Sequence, residues 1–256
     1  MSTIRPSGSR ARKAVKPWDG DGLWFDLEEL LPEYAQCHLD AARAGDPDEA
    51  FGLCCAAPNE YRGLIAMAAY WSGVSNPAYR EIIRAVWHHD HNYLMAATGN
   101  DRRLIRRMLG AAAFDHPFSG SIPVFRGTSG VSPTTASKGL SWTASREVAC
   151  WFAYRFAKPD REPIVLKTTV ASADIVFWDN TRSEREVIFR RPVSFELDPD
   201  PDTWLQAAER LRRRQKREQA ARLRKFKQAS LSVAGAPLPR LLEALGDHAC
   251  ADGDTP

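Results

Sequence analysis

Val124-Phe125-Arg126-Gly127, Ser141-Trp142-Thr143 and Ser183-Glu184-Arg185-Glu186-Val187 decide how the second half of this chain folds. The first closes a β-rich run from Ser121 to Arg126, which Gly127 and the turn-forming Thr128-Ser129-Gly130 stop, so Arg126 is expected at a strand end. A guanidinium is always charged and its planar fork matches phosphate oxygens, so an inward Arg126 suits a pyrophosphate. Gly127 has no Cβ and is expected to let a ligand approach the backbone. A surface arginine before a turn is the plainer alternative.

In an extended second piece, Ser141 and Thr143 point to one face and Trp142 to the other, so two hydroxyls line a pocket while the indole enters the core. Thr143 to Ser145 can equally cap a helix that starts at Ser145-Arg146-Glu147-Val148. In the third piece, Ile175-Val176-Phe177 reads as a strand, Asp179-Asn180-Thr181 as a turn and Glu184 to Phe189 as a new strand. Period-2 spacing then puts Glu184 and Glu186 on one face. Paired carboxylates can divide labour, one stabilising a developing cation and the other preparing a nucleophile. An exposed edge strand with alternating charges is the alternative.

In this order the three pieces resemble the arginine-serine-glutamate branch of the ADP-ribosyltransferases, which contains clostridial binary toxins, vertebrate ecto-transferases and several bacterial effectors. Arg126 matches that family's first-strand arginine, Ser141-Trp142-Thr143 its Ser-Thr-Ser strand, and Glu184-Arg185-Glu186 its Glu-x-Glu motif. Trp142 stands where the family has a small residue, and Thr143 where it has serine. The resemblance spans roughly Pro123 to Pro192. It implies NAD as co-substrate with no metal, held by Arg126, Gly127, Ser141 and Thr143. It further implies that Glu186 is the catalytic glutamate and that Glu184 activates an arginine acceptor on a protein. Phe177 to Ser183 would be the acceptor-recognition loop, with Phe177 or Trp178 as its aromatic contact. An NAD glycohydrolase, a transferase acting on nucleic acid or a small molecule, and a catalytically silent interaction protein are the other readings.

Between these motifs Val148, Phe152 and Phe156 share one helix face, and Ile164 to Val170 reads as a strand. The expected fold class is α+β: helices ahead of a mixed β-sheet core of ADP-ribosyltransferase type, followed by a basic helix. The expected organisation is a basic flexible tail (1–22), a transferase-like domain (23–200, helical over 23–113 and sheet core over 114–200), a basic helix (201–229) and a mostly flexible tail (230–256). The helical part follows from apolar residues at helical spacing, among them Leu27, Leu30 and Leu31, then Ile82, Ile83, Val86 and Trp87, then Leu104, Ile105 and Met108.

The 256 residues, 44% hydrophobic, suffice for a real core. No long apolar run and no apolar signal core stands out. Five cysteines without a Cys-x-x-Cys pair read as reduced thiols, which fits a cytoplasmic protein or an effector delivered to a host cytosol. His88-His89-Asp90-His91 puts only His88 and His91 on one helical face and lacks a metal-site signature, so no metal is expected.

Charge is unevenly spread. Residues 1–17 carry five basic and no acidic groups and 204–229 ten basic against two acidic, so the rest of the chain is net acidic although the whole is +3. The segment 204–229, with Leu205, Ala208 and Leu211 on one face, reads as a helix that meets an anionic surface or nucleic acid, or folds back on the acidic body.

Overall fold

A computed structural model describes residues 20–155, 157–191 and 194–234. Seven helices come first: α1 (Gly20–Leu30), α2 (Glu33–Gln36), α3 (Leu39–Ala44), α4 (Pro47–Ala56), α5 (Asn59–Ser72), α6 (Asn76–Ala97) and α7 (Arg102–Ala111). Their starts follow local chemistry. Asp46 accepts from the backbone N–H groups of Asp48 and Glu49 ahead of Pro47, and Asp101 accepts from those of Arg103 and Leu104. The second half holds β1 (Ser121–Ser129), α8 (Pro133–Ser137), β2 (Trp142–Thr143), α9 (Arg146–Arg155), β3 (Pro163–Ala171), β4 (Ile175–Asp179), β5 (Glu186–Phe189), β6 (Glu196–Leu197) and α10 (Trp204–Ala234).

The protein is α+β, with one six-stranded sheet in the order β4-β5-β2-β1-β3-β6. Every pairing is antiparallel, so the sheet is not the mixed one expected from the sequence. The topology makes β5, β2 and β1 consecutive neighbours: Phe125 lies opposite Thr143, and Thr143 opposite Glu186. The three sequence motifs therefore sit side by side.

Alternation along β1 sends Val124 and Phe125 into different cores. Val124 packs with Trp142, Leu166, Val187 and Phe189, whereas Phe125 packs with Ala149, Ala153, Val165 and Trp204 beneath α9 and α10. The helical half shares its core with Val176, Phe177 and Ile188, so it is built onto the β4–β5 side of the sheet. Phe156 and the terminal tails (1–19 and 235–256) lie outside the described residues.

α10 starts at Trp204, and helical spacing from there buries Trp204, Ala207, Ala208 and Leu211 while Leu205 is left exposed, which corrects the face read from the sequence. Asp198 pins this helix. Its carboxylate takes two bonds from Arg146, Nε to Oδ2 at 2.7 Å and Nη2 to Oδ1 at 2.6 Å, and one from Trp204 Nε1 at 2.8 Å. Burial pushes the Asp198 carboxyl up, but the bonds from Arg146 and Trp204 outweigh it and hold the group below its ordinary value.

Gly127 lines the smaller lobe of the cleft that holds Arg126, and it is a packing residue as well. A Cβ there would lie 1.6 Å from the Ala149 carbonyl oxygen, because α9 crosses β1 at that residue. Gly127→Ala is expected to cost about 1–3 kcal/mol or more through forced separation of α9 from β1. Urea denaturation checks this, and an unchanged midpoint would contradict the close crossing.

Candidate active site

Glu186 is the first residue of β5 and is buried. Its Oε1 accepts from the Ser141 hydroxyl and from Trp87 Nε1, the latter at 3.2 Å. Its Oε2 has no hydrogen-bond partner and lies 4.0 Å from Arg182 Nη2. Burial pushes the Glu186 carboxyl above its ordinary value, while the bonds from Ser141 and Trp87 and the charge of Arg182 pull it down.

Arg126 reaches the same cleft. Its Nη1 donates to the Ser141 carbonyl oxygen, and its Nε is buried without a partner. Gly139 makes room for it: a Cβ there would lie 2.0 Å from Arg126 Cζ. Burial pushes Arg126 down to about 10, with the charge of Arg102 acting in the same sense and that of Glu186 opposing, which leaves the group charged at neutral pH. Buried polar atoms are nearly always paired, and Arg126 and Glu186, which each carry a buried atom without a hydrogen-bond partner, both line one cleft.

That cleft has two adjoining lobes of about 200 and 630 Å³, both lined by Arg126, Ser141, Phe152, Glu184 and Glu186. The larger adds Trp87, His91, Asn92, Arg102 and Arg182 and lies within the size range of small-molecule sites, about 300–1,000 Å³.

The two glutamates meet by a different route from the strand spacing expected. β5 begins only at Glu186, because Ser183 (φ 58°) and Arg185 (φ 50°) adopt left-handed backbone in the preceding turn, where Asn180 Oδ1 accepts from Arg185 N at 3.2 Å. Left-handed backbone at non-glycine residues costs about 1–3 kcal/mol each and collects at functional sites. The turn brings Arg182 back, with Nη2 3.3 Å from Glu184 Oε2 and Nη1 donating to the His88 carbonyl oxygen at 3.2 Å.

Thr143 lines the smaller lobe, but its hydroxyl is already engaged: it donates to the Glu184 carbonyl oxygen at 2.7 Å and accepts from Ser145 N at 3.0 Å. It therefore fixes the Glu184 backbone and the entry to α9. Phe177, expected as an aromatic contact for an acceptor, is 1% exposed and belongs to the core on β4. Trp178 is half-buried, its ring 4.7 Å from that of Phe118. The loop proper begins after Asp179 and carries arginines where an aromatic had been expected.

Trp87 and Arg182 are the residues beside Glu186 that sequence reasoning missed, and His91, Asn92 and Arg102 of the larger lobe were missed with them. Trp87 read as a core position, and only the tertiary fold brings it to a partner 99 residues away. α6 bends at Asp90 (φ −136°, ψ 28°), whose buried carboxylate takes Arg62 Nη1 at 2.6 Å, so the bend lies between Trp87 and the cleft residues His91 and Asn92. The same stretch separates the histidines: His88 Nε2 lies 3.0 Å from Asp179 Oδ2, while His91 lines the cleft. Among the described residues no cluster of three His, Cys, Asp or Glu side chains is arranged to hold a metal, and no helix is long and apolar enough to cross a membrane.

No family model matches this chain, and no match was found among curated proteins or solved structures.

A raised carboxyl pKa means that the folded state binds more protons than the unfolded state between the two pKa values, so stability falls as pH rises through that window. Glu186→Gln removes this cost. The variant is expected to melt at least as high as wild type at pH 7, with its advantage shrinking as pH falls toward the ordinary glutamate value of about 4.3. Calorimetric melts across pH check this, and a variant that melts lower at pH 7 would contradict it.

Proposed function

We propose that this chain is a mono-ADP-ribosyltransferase that moves ADP-ribose from NAD to an arginine side chain of a protein, and that its sheet core is of the ADP-ribosyltransferase type. The observation carrying this reading is the convergence of Arg126, Ser141 and Glu186 on one cleft from adjacent parts of the sheet, with unpaired polar atoms on Arg126 and Glu186.

In this mechanism Arg126 holds the pyrophosphate and the adjoining ribose of NAD. Glu186, steadied by Ser141 and Trp87, accepts from the 2′-hydroxyl of the nicotinamide ribose. The C1′–N bond breaks and its electron pair leaves with nicotinamide, while the Glu186 carboxylate stabilises the oxocarbenium-like cation. The acceptor nitrogen then bonds to C1′, and Glu184 takes its proton.

Arg182 supports the arginine specificity. Its guanidinium already lies against both glutamates, so the pair accommodates such a group. An incoming arginine displaces Arg182 from Glu184. The exposed turn around Thr181 to Ser183 then forms the contact with the acceptor protein.

The purified chain is incubated with NAD labelled in its adenylate half and an arginine-rich protein. Nicotinamide release together with label on arginine is expected, and Glu186→Gln is expected to lower both by about 10²-fold or more. Glu184→Gln is expected to reduce labelling of the acceptor more than cleavage of NAD. Free ADP-ribose without labelled protein would assign a glycohydrolase instead, and wild-type turnover by Glu186→Gln would remove the reading altogether.

A further inference from the structure

A groove of about 1140 Å³, larger than either lobe of the proposed NAD cleft, lies beside it. Arg102, Arg103, Arg106 and Arg107 of α7 line it, together with Lys138 ahead of β2 and Arg190 and Arg191 after β5. The acidic residue on its wall, Asp101, is spent on capping α7. None of these basic side chains makes an ion pair among the described residues. Arg102 and Arg106 only donate to backbone carbonyls, those of Lys138 and Phe189.

Stability does not explain this arrangement. Arg102 and Arg106, like Arg103 and Arg107, are like-charged pairs four residues apart, each costing the helix about 0.2–0.5 kcal/mol. Burial pushes Arg106 down and the charge of Arg102 adds to it, so the cations are held close enough to disfavour one another. They gather on a body that is net acidic outside its two basic segments. Such a field is relieved by an anionic ligand.

We propose that this groove binds a single strand of nucleic acid through its phosphates. Arginine predominates on the walls, and its fork matches phosphate oxygens. Arg103 and Arg107 stand about 6 Å apart along the helix axis, which spreads the cations along a path. The half-buried Tyr70, whose ring packs on those of Trp71 and Tyr79, puts an aromatic side chain on the wall of this basic track, and single strands use aromatics together with cations. The surface is concave and offers no large exposed apolar side chain for insertion, which suits a polymer strand better than a lipid bilayer. Arg102 lines both this groove and the NAD cleft, so a strand bound here runs to the mouth of that cleft.

α10, the basic segment that stood out in the sequence, packs on α9, whereas α7 packs on α6 and β4, so the two can be tested separately. A fluorescein-labelled single-stranded DNA oligonucleotide of mixed sequence is titrated with the full chain and followed by anisotropy at several salt concentrations. R103Q/R107Q/R190Q/R191Q is expected to lower affinity about 10-fold or more and to flatten the salt dependence by about 0.7 in log–log slope for each phosphate that is no longer neutralised. R212Q/R213Q/R217Q on α10 is expected to stay within about twofold of wild type. If the fourfold variant fails to fold, R107Q/R191Q gives the same reading at smaller amplitude. Groove variants that bind like wild type would overturn the proposal, as would displacement of the oligonucleotide by polyglutamate as effective as that by unlabelled strand. Binding here is independent of NAD chemistry: groove-dependent binding by a chain that releases no nicotinamide would keep this proposal and discard ADP-ribosyl transfer.

Discussion

The buried carboxylate of Glu186 is the constraint around which the second half of the molecule is arranged. A carboxylate removed from water needs donors, and two are supplied from different layers: the Ser141 hydroxyl just before β2 and the Trp87 indole of α6. Each donor requires its own support. Ser141 is held by pairing of β2 between β5 and β1, while Trp87 depends on a helix bent at Asp90 and held there by Arg62. Even so, Glu186 Oε2 has no hydrogen-bond partner. A buried carboxylate oxygen and a buried guanidinium nitrogen on the lining of one cleft, each without a hydrogen bond, cost stability.

Close backbone approach lets these groups meet. α9 crosses β1 at Gly127, and the Arg126 guanidinium lies against Gly139 in space that any side chain would fill. The left-handed residues Ser183 and Arg185 form the turn before β5 that presents Glu184 next to Glu186. Packing and site chemistry are therefore coupled: the same short segments close the core and shape the cleft.

Much of this was legible in the sequence because it is local. The strands around Val124, Ile164, Ile175 and Val187, the helix after Ser145 and the relative order of Arg126, Ser141 and Glu186 follow from periodicity and turn residues. What stayed hidden depends on distant partners. Phe177 follows Val176 into the helical core because the pairing of β4 with β5 shifts register between Ile175 and Phe177, and an irregularity of this kind breaks the alternation that a sequence pattern assumes. Trp204 and Leu205 are adjacent apolar residues, and the bond from Trp204 to Asp198 accompanies burial of the first and exposure of the second. The arginines of α7 match no motif on their own, and only the arrival of Arg190 and Arg191 beside them makes a groove.

The central claim is that a guanidinium, a hydroxyl and a carboxylate enclose one ribose. It is tested most directly by a crystal structure of the chain with a non-cleavable NAD analogue. The account requires the pyrophosphate at Arg126 and the 2′-hydroxyl of the nicotinamide ribose within about 3 Å of Glu186, a hydrogen-bond distance. An analogue bound elsewhere, or bound here with that ribose turned away from Glu186, would contradict it.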